Sequence, residues 1–234
     1  MELPHHQHRW KMLKGVFMYL ILYMICFCLL EQRDVPVHLI TCKLDQMIPF
    51  CEWFIIPYYL WFLYIAVFLF WFAFGPSDLE EFRRYSLYLC TGMTIFLFVS
   101  WIWPNGLAIR PTAFPRDNML TSLVKGLYKT DTPTNVFPSI HVFNSLATTM
   151  AVWESRYFRK KTAARWSSLI LTVLIVLSTL FLKQHSVVDM TAGLLLGWLL
   201  WYVCYHSSQA YCYHGKSPLL RRHYRKKHYR NLHV

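Results

Sequence analysis

The chain has 234 residues, enough for one sizeable domain, yet only 15% of them are charged and 56% are hydrophobic. A soluble domain carries about 25% charged residues because its surface faces water, so this composition argues against one. The net charge of +12 alone would fit nucleic acid or an anionic membrane surface, and the hydrophobicity favours the membrane over nucleic acid. The seven cysteines have neither a CxxC pair nor a finger-like spacing, so no metal site is predicted.

Six long uncharged stretches lie between the charged residues, each rich in Leu, Ile, Phe, Trp and Met. A hydrocarbon core about 30 Å thick needs roughly 17–25 helical residues, and backbone groups in lipid must pair within their own segment. The sequence therefore predicts an all-α, polytopic membrane protein, with a single domain over 1–234 built as a bundle of six transmembrane helices. The predicted helices are 15–31, 53–74, 86–103, 138–154, 167–183 and 186–205.

The distribution of Lys and Arg predicts the orientation of this bundle, because cytoplasmic loops carry an excess of these residues. With six spans both termini lie on one side, and that side receives 17 of the 24 Lys and Arg residues. We therefore expect an N-terminal tail (1–14) and a basic C-terminal tail (206–234) in the cytoplasm. The other side faces away from the cytoplasm, and the cell membrane is the expected location.

Two loops on the outer side have apolar residues along one helical face, which predicts short helices lying in the membrane interface. These loops are 36–52 and 117–128. The first contains Cys42 and Cys51, which could form a disulfide, although two unpaired thiols are the simpler expectation.

Several ionisable residues lie at the edges of the predicted spans, where such groups are costly and are by default candidates for function. Arg110 precedes Pro111 after the third span, and His141 follows Pro138-Ser139-Ile140 at the start of the fourth. His185 and Asp189 open the sixth span. All of them lie on the outer side of the topology, which was predicted from charge alone.

The types and spacing of these residues indicate phosphoryl transfer. His185 and Asp189 are four residues apart and share a helix face, so the carboxylate can hold one imidazole nitrogen protonated and leave the other as nucleophile or base. Pro138 and Ser139 suit a helix start, whose free N–H groups bind phosphate. Arg110 adds a forked cation that matches phosphate oxygens. Each feature alone is common by chance, so the hypothesis depends on their combination.

Three segments resemble the signature motifs of the type 2 phosphatidic acid phosphatase superfamily, which are Lys-x6-Arg-Pro, Pro-Ser-Gly-His and Ser-Arg-x5-His-x3-Asp. The matching segments are Arg110-Pro111, Pro138-Ser139-Ile140-His141 and Ser178-Thr179-x5-His185-x3-Asp189. Their order and their positions among six helices also agree with that family. The resemblance implies a membrane phosphoesterase that hydrolyses a lipid phosphate at the extracytoplasmic leaflet. It implies no metal or other cofactor, because cationic side chains and amides stabilise the charge.

The resemblance also implies a role for each matching residue. His185 would be the nucleophile that takes the phosphoryl group, and Asp189 would orient it. His141 would protonate the departing lipid alcohol and then act as a base toward water. The phosphate oxygens would be held by Arg110, the Ser139 hydroxyl and nearby backbone N–H groups. Lys183, which matches no motif position, is added to this set as a candidate substitute cation. The implied partners are a lipid phosphate substrate and the surrounding membrane lipids.

Three positions depart from the family's motifs. Trp103 stands where the family has lysine, Thr179 where it has arginine, and Ile140 where it has glycine. Loss of one preorganised donor costs about 2.7–4 kcal/mol of transition-state stabilisation, so an active enzyme needs substitute cations. The candidates on the outer side are Arg116, Lys125, Lys129 and Lys183.

These departures leave two further hypotheses. Loss of two motif cations with the His/His/Asp set retained resembles the membrane synthases of inositol phosphorylceramide and sphingomyelin, which move a phospho-headgroup onto another alcohol. Headgroup transfer between lipid alcohols is therefore the second hypothesis. A catalytically silent lipid-binding protein is the third, motivated by Trp103 and Thr179. The sequence specifies neither the lipid nor the oligomeric state.

Overall fold

The computed structural model describes residues 5–207, with side chains described from Arg9 onward, and it is mostly helical. The predicted basic tail beyond residue 207 lies outside the described residues. The α-helices are α1 (His5–Glu31), α2 (Lys43–Met47), α3 (Ile55–Phe74), α4 (Leu79–Ile102), α5 (Met119–Thr130), α6 (Ile140–Glu154), α7 (Thr162–Phe181) and α8 (Val187–Trp201). Short 3-10 turns precede α3 and α7, and a π-helical segment, Tyr202–Ser207, extends α8.

Five helical segments within the described residues are long and apolar enough to cross a membrane. They are Arg9–Glu31, Glu52–Phe74, Leu79–Ile102, Thr162–Phe181 and Val187–Ser207. They match five of the six predicted spans, so a helical membrane protein is confirmed. The remaining predicted span, 138–154, corresponds to α6, which has 15 residues, ten of them buried. The count of six spans therefore stays a prediction.

Two of the long helices begin earlier than predicted. Helix α1 begins at His5 and α4 at Leu79, whereas starts near 15 and 86 were expected. The absence of charge marks only the part of a helix that suits lipid, whereas backbone hydrogen bonding continues through charged turns. In α4 the charged first turns contain their own ion pair, from Arg83 Nε to Glu80 Oε2 at 2.8 Å.

Helix α6 is the centre of the bundle, packed against α3, α4, α7 and α8. Glycines allow two of these neighbours to approach it closely, as small residues do between membrane helices. A Cβ added at Gly92 of α4 would lie 2.0 Å from Phe143, and one added at Gly193 of α8 would lie 2.7 Å from the Ser139 carbonyl oxygen. The second contact places the start of α6 beside the start of α8, where the predicted site residues lie.

Helix α1 is attached to the rest of the bundle at both ends by polar contacts. At its N-terminal end, Arg9 donates to the carbonyl oxygens of Ala73 and Gly75 at 3.3 and 3.0 Å. At the other end, the Glu31 carboxylate accepts hydrogen bonds from Asn135 at 2.6 Å and from Thr134 at 3.2 Å. These contacts join α1 to opposite ends of the bundle, in agreement with the predicted division of loops between two sides.

Of the predicted interfacial helix in 36–52, the α-helical part is the five residues of α2, and its location at a membrane interface stays a prediction. Before α2 the chain forms strand β1 (His38–Leu39), which pairs in parallel with strand β2 (Asn105–Gly106). Ile40 is buried in a cluster with Leu107 and Val136. The apolar residues of this loop are therefore used in packing between loops. Cys42 and Cys51 are both free thiols.

The second predicted loop helix, 117–128, corresponds to α5. The Asn118 side chain caps its start by accepting a hydrogen bond from the Thr121 amide at 2.9 Å. Val124 and Leu127 of α5 are buried in a cluster with Ile55 and Tyr58 of α3. One face of α5 therefore covers the start of α3, and its location at a membrane interface stays a prediction.

Candidate active site

Three of the predicted residues form a continuous line of hydrogen bonds, which we call the relay. Asp189 Oδ2 lies 2.7 Å from His185 Nδ1, and His185 Nε2 lies 3.1 Å from His141 Nδ1. Asp189 is fully buried and His185 is 5% exposed. Because the carboxylate accepts the proton of His185 Nδ1, the Nε2 atom of that ring carries a lone pair directed at His141.

The backbone between α7 and α8 positions His185. The amides of Gln184 and His185 both donate to the carbonyl oxygen of Thr179, at 2.9 and 3.1 Å. Lys183 makes the turn possible by adopting φ of 55°, in the left-handed region. The chain therefore reverses within a few residues after α7 and presents His185 just before α8 begins.

Backbone contacts also hold the starts of α6 and α8 together. The Ser139 amide donates to the carbonyl oxygen of Asp189 at 3.0 Å. Ser139 is buried and caps α6, with its Oγ accepting from the Val142 amide at 3.4 Å. The first amides of a helix have no partners within it, so the start of α6 can receive an anion beside His141.

Two aromatic rings of α3 pack against His141. The ring centroids of Trp61 and Tyr58 lie 4.3 and 4.8 Å from that of His141. These contacts confine the imidazole ring of His141, whose Nδ1 faces His185.

Arg110 is half-buried beside the relay in a set of hydrogen bonds that all use its terminal nitrogens. Nη1 donates to the Tyr128 carbonyl oxygen at 3.2 Å, and Nη2 donates to the Asp131 carbonyl oxygen at 2.7 Å and to Gln184 Oε1. The Nε atom is buried and has no hydrogen-bond partner among residues 5–207. Burial lowers the pKa of Arg110, and the Asp131 carboxylate opposes this shift. The guanidinium stays charged, since arginine keeps its proton in proteins.

Three residues that sequence reasoning missed connect Arg110 with the relay. Gln184 Nε2 donates to Asp131 Oδ2 at 3.3 Å, and the Tyr58 hydroxyl donates to the same oxygen at 2.6 Å. Gln184 precedes His185 and Tyr58 packs on His141, so this network connects the guanidinium with both histidines. The available signal was the position of Gln184 next to a motif histidine.

The positions that depart from the family's motifs supply no cation. Trp103 ends α4 and packs its ring against His38 and Phe137, with centroid distances of 6.1 and 5.4 Å. The Thr179 hydroxyl donates back to the Val176 carbonyl oxygen at 2.7 Å, within its own helix.

The substitute cations proposed from the sequence have other partners or are exposed. Arg116 pairs with Glu52 at 3.0 Å, and Lys125 pairs with Asp117 at 3.1 Å. Lys129 is exposed on α5. None of these is bonded to the network that contains Arg110 and the relay, as far as the described residues show.

Lys183 holds α2 against the site. Its Nζ donates to the carbonyl oxygen of Asp45 at 2.6 Å and also to that of Ile48. Burial lowers the pKa of Lys183, and the negative charge of Asp45 opposes this shift. In this arrangement its ammonium group binds the C-terminal carbonyls of α2, where a helix favours a cation.

Asp45 makes the reciprocal contact, from α2 to the start of α8. Its carboxylate accepts from the Ser186 hydroxyl at 2.7 Å, the Val187 amide at 2.8 Å and the Cys42 amide at 2.7 Å. Burial raises the pKa of Asp45, but these hydrogen bonds outweigh it and hold the pKa below its usual value. We call the contacts of Asp45 and Lys183 the α2 clamp.

The fold and site together define a class: a mostly helical membrane protein in which a buried His–His–Asp relay and an arginine meet at one end of the bundle. The family model described as the PAP2 superfamily matches residues 13–211, and the chain belongs to that superfamily. This membership confirms the resemblance seen in the motifs. Members are phosphatases or phosphotransferases, so the chain is placed among membrane lipid phosphatases or phosphotransferases. Comparison with curated proteins and with solved structures gives no significant match.

Proposed function

We propose that this chain is a membrane phosphoesterase that hydrolyses a lipid phosphate through His185, His141 and Asp189. The observation that carries the proposal is the relay, in which contacts of 2.7 and 3.1 Å align the three side chains. The proton positions that this alignment favours are those that a phosphohistidine mechanism requires.

In the first half-reaction, His185 Nε2 attacks phosphorus and forms a P–N bond while the P–O bond to the lipid alcohol breaks. His141 Nδ1 lies 3.1 Å from this nitrogen, so the two rings must separate as the phosphoryl group enters between them, and the proton of an imidazolium His141 then faces the departing oxygen on the far side of phosphorus. Transfer of that proton gives a neutral lipid alcohol. Asp189 keeps the proton on His185 Nδ1 and stabilises the positive charge that develops on the ring.

In the second half-reaction, His141 is deprotonated and takes a proton from water. The water oxygen attacks phosphorus, the P–N bond breaks, and inorganic phosphate leaves with His185 restored. If an alcohol of a second lipid replaces the water, the same steps transfer the phosphate-containing group instead.

The phosphate oxygens would be bound by the unpartnered Nε–H of Arg110 and the start of α6. The Ser139 oxygen accepts a hydrogen bond from the Val142 amide, which leaves its hydroxyl hydrogen to donate to phosphate. Gln184 would position Arg110. For Lys183, which the sequence suggested as a phosphate ligand, we propose an indirect role through the α2 clamp.

We further propose that the relay faces the extracytoplasmic leaflet and that α6 is the sixth span. The excess of Lys and Arg on the opposite loops supports this orientation. At about 1.5 Å per residue, α6 is about 22 Å long and shorter than the hydrocarbon core. Its neighbours bury most of it, so its ends can lie inside the protein rather than in lipid.

Transfer of a phospho-headgroup between lipid alcohols is the second candidate function. It is favoured by Trp103 and Thr179, which occupy two cation positions of the phosphatase motifs and bind no phosphate through a charge.

A single assay separates these functions. The purified protein is given radiolabelled lipid phosphates with and without acceptor lipid alcohols, beside the variants His185→Ala and His141→Ala. We expect wild type alone to release free phosphate without an acceptor. Product that forms only with an acceptor would support transfer instead. Histidine variants that match wild type would refute the assignment of the relay, and no product under any condition would favour a silent lipid-binding protein.

A further inference from the structure

A cavity of about 820 Å³ lies between α1, α3, α4 and α6. This volume is within the range of about 300–1,000 Å³ that is common for ligand pockets. Its lining consists almost entirely of apolar side chains, including Leu13, Leu20, Ile65, Leu69 and Met93. Such a lining suits a hydrocarbon chain, and Lys14 is the one charged residue among the described residues that line it.

The cavity opens beside α1 to the outside of the bundle. Phe17 and Met18 line it and are also 62% and 63% exposed. Helix α1 is attached by Arg9 at one end and Glu31 at the other, and the cavity separates its middle part from α3 and α6. A chain from the surrounding lipid can therefore enter past α1 without crossing the bundle.

Four polar atoms in this apolar lining have no hydrogen-bond partner within the described part of the chain. They are the Tyr23 hydroxyl, Trp61 Nε1, Ser86 Oγ and Asn144 Oδ1, and all four are buried. These four atoms are enclosed by protein and do not face the cavity, so the surface that a ligand would contact is apolar.

The cavity begins next to the relay. Ile140 lines it and directly precedes His141, and Asn144 follows one helical turn later on the same face. Trp61 lines the cavity as well, and its ring lies 4.3 Å from that of His141. A lipid whose phosphate lies at His185 can therefore pass His141 and extend its chain into the cavity.

We propose that this cavity binds the hydrocarbon chain of the lipid substrate. The inference rests on the proposed function, since it takes the ligand of the cavity to be the substrate of the relay. Its chemical class is a lipid phosphate with a long hydrocarbon chain.

The kinetic test compares hexadecyl phosphate with butyl phosphate, which share a headgroup and differ in chain length. Ala66 lines the cavity, so Ala66→Leu fills part of it. One methylene in an apolar pocket changes kcat/KM by about tenfold or more, so we expect Ala66→Leu to lower the ratio of long-chain to short-chain kcat/KM by at least about tenfold. The matched control is Ala163→Leu on the exposed start of α7, which should leave the ratio unchanged. Retained hydrolysis of butyl phosphate shows that the variant is folded.

A binding test needs no hydrolysis. Cys90 lines the cavity, so it is kept as the only cysteine in a His185→Ala variant, with the other six replaced by serine. Hexadecyl phosphate should protect Cys90 from alkylation at least about tenfold more strongly than butyl phosphate does, for the same reason of apolar burial. Equal protection, or an unchanged kinetic ratio in Ala66→Leu, would overturn the proposal. If neither phosphate is hydrolysed by wild type while protection persists, the hydrolase function fails and the chain-binding cavity stands. If hexadecanol protects Cys90 of this variant as strongly as hexadecyl phosphate does, the occupant is a general membrane lipid and the substrate assignment fails.

Discussion

At the scale of single residues, the relay depends on which nitrogen carries the proton. Asp189 accepts from His185 Nδ1 at 2.7 Å, which leaves Nε2 free to act on phosphorus. The two aromatic rings behind His141 keep its Nδ1 directed at the same point. Because the two facing nitrogens are only 3.1 Å apart, the proposed mechanism needs the rings to separate when a phosphoryl group enters between them.

Arg110→Lys tests whether the guanidinium is the phosphate-binding cation. A lysine keeps the charge but cannot reproduce the bonds of Arg110 to two carbonyls and Gln184 while also offering a donor to phosphate. We expect kcat to fall by about 10²–10³, the cost of losing one preorganised donor. Arg116→Lys is the control, because Arg116 is exposed and its ion pair with Glu52 lies outside the relay network. Similar rates for both variants in a phosphate-release assay would argue against the assignment.

The sequence predicted the contacts of the relay better than its surroundings. The i, i+4 spacing of His185 and Asp189 predicts their contact, and the structure has it at 2.7 Å. Apart from the position of Gln184 next to His185, the sequence held no signal for the roles of Gln184, Asp131 and Tyr58, because these depend on how loops and helix ends converge. No periodic pattern in the sequence reports such a convergence.

At the scale of elements, the α2 clamp connects a five-residue helix to the start of α8. Two charged side chains on opposite elements each satisfy backbone groups of the other, Asp45 at the α8 start and Lys183 at the α2 end. The clamp fixes the backbone on both sides of His185, so we infer that it maintains the geometry of the relay.

Asp45→Asn tests the α2 clamp, whose stabilising effect depends on pH through the Asp45 carboxylate. The hydrogen bonds from Ser186, Val187 and Cys42 hold the folded-state pKa of Asp45 below its unfolded value, which is about 3.9. The carboxylate therefore contributes stability that is fully present above about pH 4 and is lost as the pH falls through the folded pKa. We expect wild type to melt above Asp45→Asn at neutral pH, by an amount equivalent to about 1–3 kcal/mol for the lost charged acceptor. Thermal unfolding in detergent at a series of pH values measures this, and a melting difference that does not shrink in acid would contradict it.

Gly92→Ala tests the close packing of α4 on α6. A Cβ at this position would lie 2.0 Å from Phe143, so that ring must move, and overpacking of this kind costs about 1–3 kcal/mol. The control is Gly126→Ala in α5, where no atom lies within 4 Å of the added Cβ. Removing a helical glycine there should stabilise the fold by about 0.5–1 kcal/mol. Opposite shifts in melting temperature are expected, and a stabilised Gly92→Ala would show that the helices are less closely packed than described.

The elements themselves were predicted unevenly, for a physical reason. Uncharged apolar stretches located the long helices, because hydrocarbon imposes that composition on any span. The same reasoning could not show that α6 is the short central helix, since its residues contact other helices rather than lipid. It also placed a helix over 36–52, where a strand pair with residues 105–106 takes precedence.

At the scale of the whole molecule, the scarcity of charge reflects a division between two ends. At one end of the bundle, the charged side chains belong to the relay, Arg110 and the α2 clamp. At the other end, Arg9 donates hydrogen bonds to the turn after α3. Under the proposed orientation, the net charge of +12, which by itself would fit nucleic acid, is a topology signal, because most of the Lys and Arg residues lie in the loops and tails assigned to the cytoplasm.

Labelling of single cysteines from outside the cell tests this division. Lys129 and Lys160 are both exposed lysines, the first at the relay end on α5 and the second in the turn before α7 at the opposite end. In a background with the native cysteines replaced by serine, Lys129→Cys should react with a membrane-impermeant maleimide on intact cells. Lys160→Cys should react only after permeabilisation, because the loops with the excess of positive charge remain in the cytoplasm. The reverse pattern would place the relay at the cytoplasmic leaflet and overturn the proposed orientation. Equal labelling of both sites on intact cells would place Lys129 and Lys160 on the same side of the membrane. Because α6 is the long helix between them, this result would refute α6 as a transmembrane helix.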